Sequence, residues 1–235
     1  MLFQTYEWTR VLIVLIAQSI VAAVFIILSY KVLRRHRTWL SMICSGIFIS
    51  IALAFIINLI YFPLTINPLV YILYIITFYC LLIAMIFILL FNLVLIKSKF
   101  EFTIKKQVIL FFIYAVVSLL ILILPGGITI DESTNWRPTW SLTIMVIVLV
   151  FTTVFLIIPS TYFSLRIYNS FEEKLVKKKW AYFLFGYLGL VVSFIILLFF
   201  YINTDPIIRT ILSILNLIIV PSGLLMYMGL GRQLE

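Results

Sequence analysis

The chain has 235 residues, of which 65% are apolar and only 11% are charged. A soluble domain carries roughly 45–50% apolar and about 25% charged residues, so this composition, with a mean hydropathy of +1.27, excludes one and leaves a membrane protein. The net charge of +9 would suggest nucleic acid in a soluble chain. Here the basic residues sit in short joints between apolar runs, the arrangement that orients a protein in a bilayer, and no nucleic-acid partner is expected.

A hydrocarbon core of about 30 Å takes about 20 helical residues. On that ruler seven spans are predicted, over residues 11–30, 39–62, 68–96, 108–124, 140–165, 180–201 and 207–230. The first run is too long for a signal-peptide core and no A-x-A-like site follows it, so it is read as a retained span. Interior Pro and Gly do not break these runs, because membrane helices tolerate both.

Charge placement tests the count. The first joint carries Lys31, Arg34, Arg35 and Arg37; the third carries Lys97, Lys99, Lys105 and Lys106; the fifth carries Arg166, Lys174, Lys177, Lys178 and Lys179; the tail adds Arg232. The opposite side holds only Arg10, Arg137 and Arg209. Seven spans put fourteen of the seventeen basic residues on one side, which the positive-inside rule makes cytoplasmic, leaving the N-terminus outside. Trp8, Trp39, Trp136, Trp140 and Trp180 fall at predicted span ends, as an aromatic interface belt requires. The expectation is an all-α, seven-helix domain over 1–235, multi-pass in the cell membrane. The wealth of Ile, Phe, Lys and Asn fits an AT-rich prokaryotic genome.

A weak repeat accompanies these spans. Tyr30, Leu33 and Arg34 close the first span as Tyr162, Leu165 and Arg166 close the fifth, and Trp39 and Trp180 open the next. Asn67-Pro68 and Asn203-Thr204-Asp205-Pro206 form the corresponding outer turns. Two parallel three-helix halves joined by the fourth span fit these matches; chance similarity among apolar runs fits them as well.

Few residues offer chemistry. Cys44 and Cys80 lie inside apolar runs, where Cys behaves as a small hydrophobe. With His36 the single histidine, no zinc site or cofactor is expected. No intramembrane acid and no nucleophile–base pair suggests an enzyme.

Five features carry a functional and a structural reading each. In the outer loop, Gly126-Gly127 ends span four and Pro138 is expected to open span five. Between them Asp131, Glu132, Asn135, Trp136 and Arg137 form either a ligand-recognition surface or an interfacial hairpin with Arg137 neutralised by an acid. Asp205 and Arg209, four apart across Pro206, form either a ligand site or a helix cap beside a snorkelling Arg. Gln18, Asn58, Asn92 and Asn216 lie within spans and either line a solute path or bond between helices. Pro159, Pro221 and Gly223 are candidate hinges or packing features. Arg34, Arg35, Lys177, Lys178 and Lys179 either dock a cytoplasmic partner or only set topology, and Glu173 with Lys177 extends span six toward the cytoplasm.

Resemblances sort these readings. Microbial rhodopsins need a Lys in the last span, and 207–230 has none. G-protein-coupled receptors carry an acidic-Arg-aromatic motif where Lys97-Ser98-Lys99 stands, and Asn216, Pro221 and Tyr227 lack their N-P-x-x-Y spacing. The SWEET sugar uniporters share the three-one-three plan, but of their span prolines only Pro159 has a clear counterpart. The segment 221–234, with Pro221, Tyr227, Arg232 and Leu234 in order, resembles the exit of the seven-span sensor modules that precede prokaryotic histidine kinases. That resemblance implies a non-enzymatic receptor-like module. The chain stops where the kinase linker of that family begins, which implies output through a separate cytoplasmic signalling protein. The alternative is a small neutral-solute transporter or channel. The lipid bilayer is the remaining expected partner, and a homo-oligomer is compatible with either reading.

Overall fold

A computed structural model describes residues 12–35, 38–96 and 102–230. The features expected at Trp8, Arg10, His36, Arg37, Lys97, Lys99, Arg232 and Leu234, and at the Arg35 side chain, lie outside the described residues.

Seven helices in this part of the chain are long and apolar enough to cross a membrane: α1 (Val14–Arg34), α2 (Trp39–Tyr61), α3 (Leu69–Ile96), α4 (Ile104–Leu122), α5 (Leu142–Ser170), α6 (Lys174–Ile202) and α7 (Pro206–Leu230). Their mean hydropathies run from 2.0 to 2.9, and their order matches the seven predicted runs. The boundaries differ most at the end bearing the basic joints. There α4, α5 and α6 continue past the apolar stretch, because Lys and Arg are good helix formers and their long stems reach polar surroundings from an apolar face. The opposite end, which carries the polar loop between α4 and α5, is called the loop end below.

Side chains start three of the helices. Thr38 Oγ1 accepts from the Ser41 amide at 3.2 Å, Ser141 Oγ from the Ile144 amide at 3.3 Å, and Asp205 Oδ1 from the Ile207 and Ile208 amides at 2.7 and 3.3 Å. Each satisfies an amide that the first turn leaves without a partner. Pro138 does not open the fifth helix as expected. It leads into a two-residue strand β2 (Thr139–Trp140), which pairs antiparallel with β1 (Ile128–Thr129) in the register Ile128–Trp140 and Thr129–Thr139. Ser141 then caps α5. Two-residue strands have no alternation to read, and the ribbon went unpredicted for that reason.

The tryptophan belt is also corrected. Trp39 is exposed, but Trp140 and Trp180 are buried inside the protein. Trp180 Nε1 donates to the Ser164 carbonyl at 2.8 Å and its ring stacks on Phe183 at 4.6 Å. A span end borders both lipid headgroups and neighbouring helices, and an indole suits either.

The helices close a ring in the order α1, α2, α3, α5, α6, α7, with α7 returning to α1. Helix α4 lies outside it, packed lightly on α3 and α5, and is the least buried span. Rings from α3 reach across to α6, with Phe78 5.8 Å from Phe194 and Phe91 5.4 Å from Phe183. The α6–α7 seam is the tightest. A Cβ at Gly186 would stand 2.5 Å from the Met226 amide nitrogen and 2.5 Å from the Ser222 carbonyl oxygen, and Gly229 is as close to the backbone at Phe183. In lipid, where apolar burial gives little preference for protein over solvent, such close backbone contact is a main source of helix affinity.

Both expected hinge prolines leave marks one turn earlier. A π-helical stretch, Thr153–Ile157, precedes Pro159, and a 3-10 turn, Asn216–Ile218, precedes Pro221. Proline offers no amide and crowds the carbonyl four residues back. For Pro159 that carbonyl belongs to Phe155, and the Tyr114 hydroxyl of α4 donates to it at 3.2 Å. The vacated backbone acceptor is thereby satisfied from another helix.

Candidate functional site: a cavity at the loop end

A cavity of about 190 Å³ opens among α1, α2, α3, α6 and α7 at the loop end. Most of its wall is apolar, as the surrounding sequence dictates. Two polar pairs interrupt it. Asn58 Nδ2 of α2 donates to Gln18 Oε1 of α1 at 2.5 Å, and the Ser193 hydroxyl of α6 donates to Asn216 Oδ1 of α7. The 3-10 turn that begins at Asn216 places that amide against α6, so the backbone irregularity and the polar pair are one feature. Each interhelical bond of this kind in a membrane contributes about 0.6 kcal/mol, and at most about 1.7.

The upper wall is aromatic. Trp140 Nε1 donates to the Tyr74 hydroxyl at 2.5 Å, and its ring stacks on Tyr201 at 5.4 Å with 12° between planes. Tyr74 in turn meets Tyr61 and Tyr201 edge-on, at 6.1 and 5.4 Å. Tyr61 and Tyr201 face the cavity. This cluster ties β2 to α2, α3 and α6, which explains why Trp140 is buried rather than at an interface.

Arg209 stands at the mouth and is only 4% exposed. It does not snorkel outward. Its Nε donates to the Asn203 carbonyl, one terminal nitrogen donates to the Pro138 carbonyl at 3.2 Å, and the guanidinium lies 5.3 Å from the Phe200 ring centre. All three partners are neutral. Asp205, four residues back, does not pair with it; that carboxylate is exposed and bonds its own helix amides. Arg137 lines the same cavity, close enough for the two cations to repel. Burying an ion costs several kcal/mol even after the surroundings relax, so Arg209, buried with no acid beside it among the described residues, is an electrostatic feature that the fold maintains against a cost.

The polar turn delivers Arg137. Asp131 Oδ1 accepts from the Ser133 hydroxyl at 2.6 Å and from the Thr134 amide at 3.0 Å. Those bonds, the Ser133 hydroxyl foremost, hold the Asp131 carboxyl below its ordinary range. The backbone closes on itself as well, Trp136 amide to Asp131 carbonyl at 2.8 Å and Arg137 amide to Thr134 carbonyl at 3.1 Å. Asn135 and Trp136 both take left-handed angles, with φ of 52° and 53°. Two successive non-glycine residues there are uncommon and strained. They reverse the chain so that Arg137 and Pro138 turn in to the cavity.

On the other side the cavity ends blind. Its lining stops at Val21, Ile51, Ile88, Leu190 and Ile219. One turn further, Phe25 is fully buried against Gly223, where an added Cβ would stand 2.6 Å from its ring. Gly223 is therefore a seat for an aromatic side chain, and α6 and α7 are in close backbone contact at Gly186 and Gly229.

Of the expected site residues, Gln18, Asn58, Asn216, Arg137 and Arg209 come together here. Asp131, Glu132 and Trp136 stay in the turn, and Asp205 stays at its cap. Asn92 is elsewhere: fully buried between α3 and α5, its Nδ2 donates to the Ser160 carbonyl at 3.1 Å, while its Oδ1 has no partner among the described residues. Pro159 lies away from the cavity. Arg34 and Lys178 are exposed at the basic end, Lys179 is half-buried there, and Lys177 Nζ sits 4.8 Å over the Tyr168 ring. Sequence reading missed Ser193, Tyr201 and Ser213 as lining. Arg209, Ser213 and Asn216 recur at helical spacing on one face of α7, and that stripe was the available signal.

Among the described residues no group of three His, Cys, Asp or Glu side chains gathers that could hold a metal ion. No protein-family model, curated protein or solved structure matches the chain.

Proposed function

We propose that this integral membrane protein is a receptor-like module that takes a small ligand into the loop-end cavity and relays its presence along α6 and α7 to the basic end. The observation that carries this reading is a blind cavity whose polar residues come from five helices and the polar turn, closed beneath by Phe25 on Gly223 and by the α6–α7 seam. A blind site is suited to binding. Ligand contacts on α6 and α7 would bear on the seam, where backbones touch and a small shift must be transmitted rather than absorbed. With the positive-inside rule the basic end faces the cytoplasm, and Arg34, Lys177, Lys178 and Lys179 offer a docking surface for a signalling partner.

The test uses an environment-sensitive fluorophore on Lys178→Cys in a Cys80→Ser background, Cys44 being buried. Small-molecule extracts of native membranes and medium should shift its emission. Ala54→Phe, which fills the cavity from a site 2% exposed, should abolish the shift. A shift that survives the filled cavity, or no shift with any extract, removes the receptor reading.

A second reading, transport of a small neutral solute, rests on three amides sharing one cavity wall. Glycerol or urea flux into liposomes that is lost in Asn58→Leu would favour it, and tight liposomes would end it.

A further inference from the structure

We infer that the ligand of this cavity is a small organic anion, its carboxylate or phosphate oxygens held by Arg209 with Arg137 and its apolar body lying between Phe55 and Met85. The inference rests on the ligand-binding reading above and names the ligand's chemistry.

The charge distribution points to it. Arg209 is nine-tenths buried and lines a cavity, and among the described residues its side chain bonds only to the neutral Asn203 and Pro138 carbonyls. No carboxylate pairs with it among the described residues, and the nearby Asp205 is committed to its own helix. A guanidinium has more N–H donors than these two bonds engage, and its planar fork suits a two-oxygen anion. Arg137 adds a second positive charge to the same wall. An ion that stays buried is ordinarily paired. Here Arg209 sits in a hydrogen-bonded frame with no acid beside it among the described residues, and a ligand's oxygens would supply the missing negative charge. The Phe200 ring under the guanidinium eases the burial without neutralising it.

The rest of the wall defines the other part of the ligand. Away from the mouth the cavity is mainly apolar, so a bare inorganic anion would leave most of it unfilled. An engineered cavity of about 150 Å³ holds benzene; on that scale the 190 Å³ here takes roughly eight heavy atoms. That is a six-carbon carboxylate, and it is too little for a two-chain phospholipid to enter whole. The same oxygens could arrive on a soluble metabolite or on a lipid headgroup entering from the side.

The full chain in phosphatidylcholine nanodiscs is titrated calorimetrically with hexanoate, hexyl phosphate, hexanamide, hexan-1-ol and acetate. Wild type should bind hexanoate or hexyl phosphate at least tenfold more tightly than hexanamide or hexan-1-ol, and acetate more weakly than hexanoate. Arg209→Gln should erase the preference for the anion and Arg209→Lys should retain part of it. The wild-type comparison stands alone if Arg209→Gln fails to fold. Adding phosphatidylglycerol to the nanodiscs weakens hexanoate binding if the source is a headgroup and leaves it unchanged if the source is soluble. Equal binding of hexanoate and hexanamide, no binding of either anion, or a preference that survives in Arg209→Gln overturns the inference. If the preference is absent while the Ala54→Phe-sensitive fluorescence response persists, the anion falls and the receptor reading stands; if that response is absent too, both fall.

Discussion

Replacing Gly186 by Ala tests the account of the α6–α7 seam. The added methyl would lie 2.5 Å from the Met226 amide nitrogen, 2.5 Å from the Ser222 carbonyl and 2.7 Å from Met226 Cγ. A clash with a flexible side-chain tip can be relieved by a rotamer change. Here two of the three atoms belong to the partner backbone, so α7 itself must move. Overpacking in a well-packed interior costs about 1–3 kcal/mol, and a backbone contact with no rotameric escape belongs at the upper end, about 3 kcal/mol. Gly126→Ala is the control. Gly126 has open space around it and φ of 74°, so its cost is the left-handed one alone, about 1–2 kcal/mol. Reversible unfolding in mixed micelles with rising SDS fraction, followed by far-ultraviolet circular dichroism, measures both. Gly186→Ala should unfold at a clearly lower SDS fraction than wild type and than Gly126→Ala. An unfolding curve for Gly186→Ala that overlays the wild type would show that the helices are not in backbone contact, and the relay argued along that seam would lose its basis.

Other outcomes follow from single contacts. Trp140→Phe removes the donor to the Tyr74 hydroxyl while keeping a ring against Tyr201, and should cost about 1 kcal/mol in the same unfolding assay; no change would mean that the bond contributes nothing. A double-mutant cycle of Gln18→Leu and Asn58→Leu should give a coupling of about 0.6 kcal/mol and not above about 1.7, and strict additivity would refute the pair. The Asp131 carboxyl is held below its ordinary value in the folded turn. The order it confers is therefore present above about pH 4, the ordinary carboxylate range, and is lost as pH falls through the lowered folded value. Hydrogen–deuterium exchange over 131–137, corrected for intrinsic rates, should rise only below that pH. The rise should be absent in Asp131→Asn; a rise near neutral pH would contradict the assignment.

The sequence by itself determined the class of this protein and the number and order of its spans. Hydrocarbon thickness sets a length, apolar runs either meet it or fail, and no tertiary contact is needed to decide. It also offered a helix cap as one reading of Asp205, because capping acts within one helical turn. It could not say which side of an apolar helix faces lipid and which faces protein, since both environments are equally apolar. For that reason Trp140 and Trp180 read as interface residues and proved to be core, and Gln18, Asn58, Asn92 and Asn216 read alike although only Asn92 is remote from the cavity. The β ribbon, too short to carry a period, was invisible for a different reason. Arg209 shows the division most directly. Sequence reading left it between ligand site and snorkelling cation, because its position at a span end permits either direction. Only the packing of α6, α7 and the polar turn decided that it points inward, where a buried cation with no carboxylate beside it among the described residues becomes the dominant electrostatic fact of the cavity.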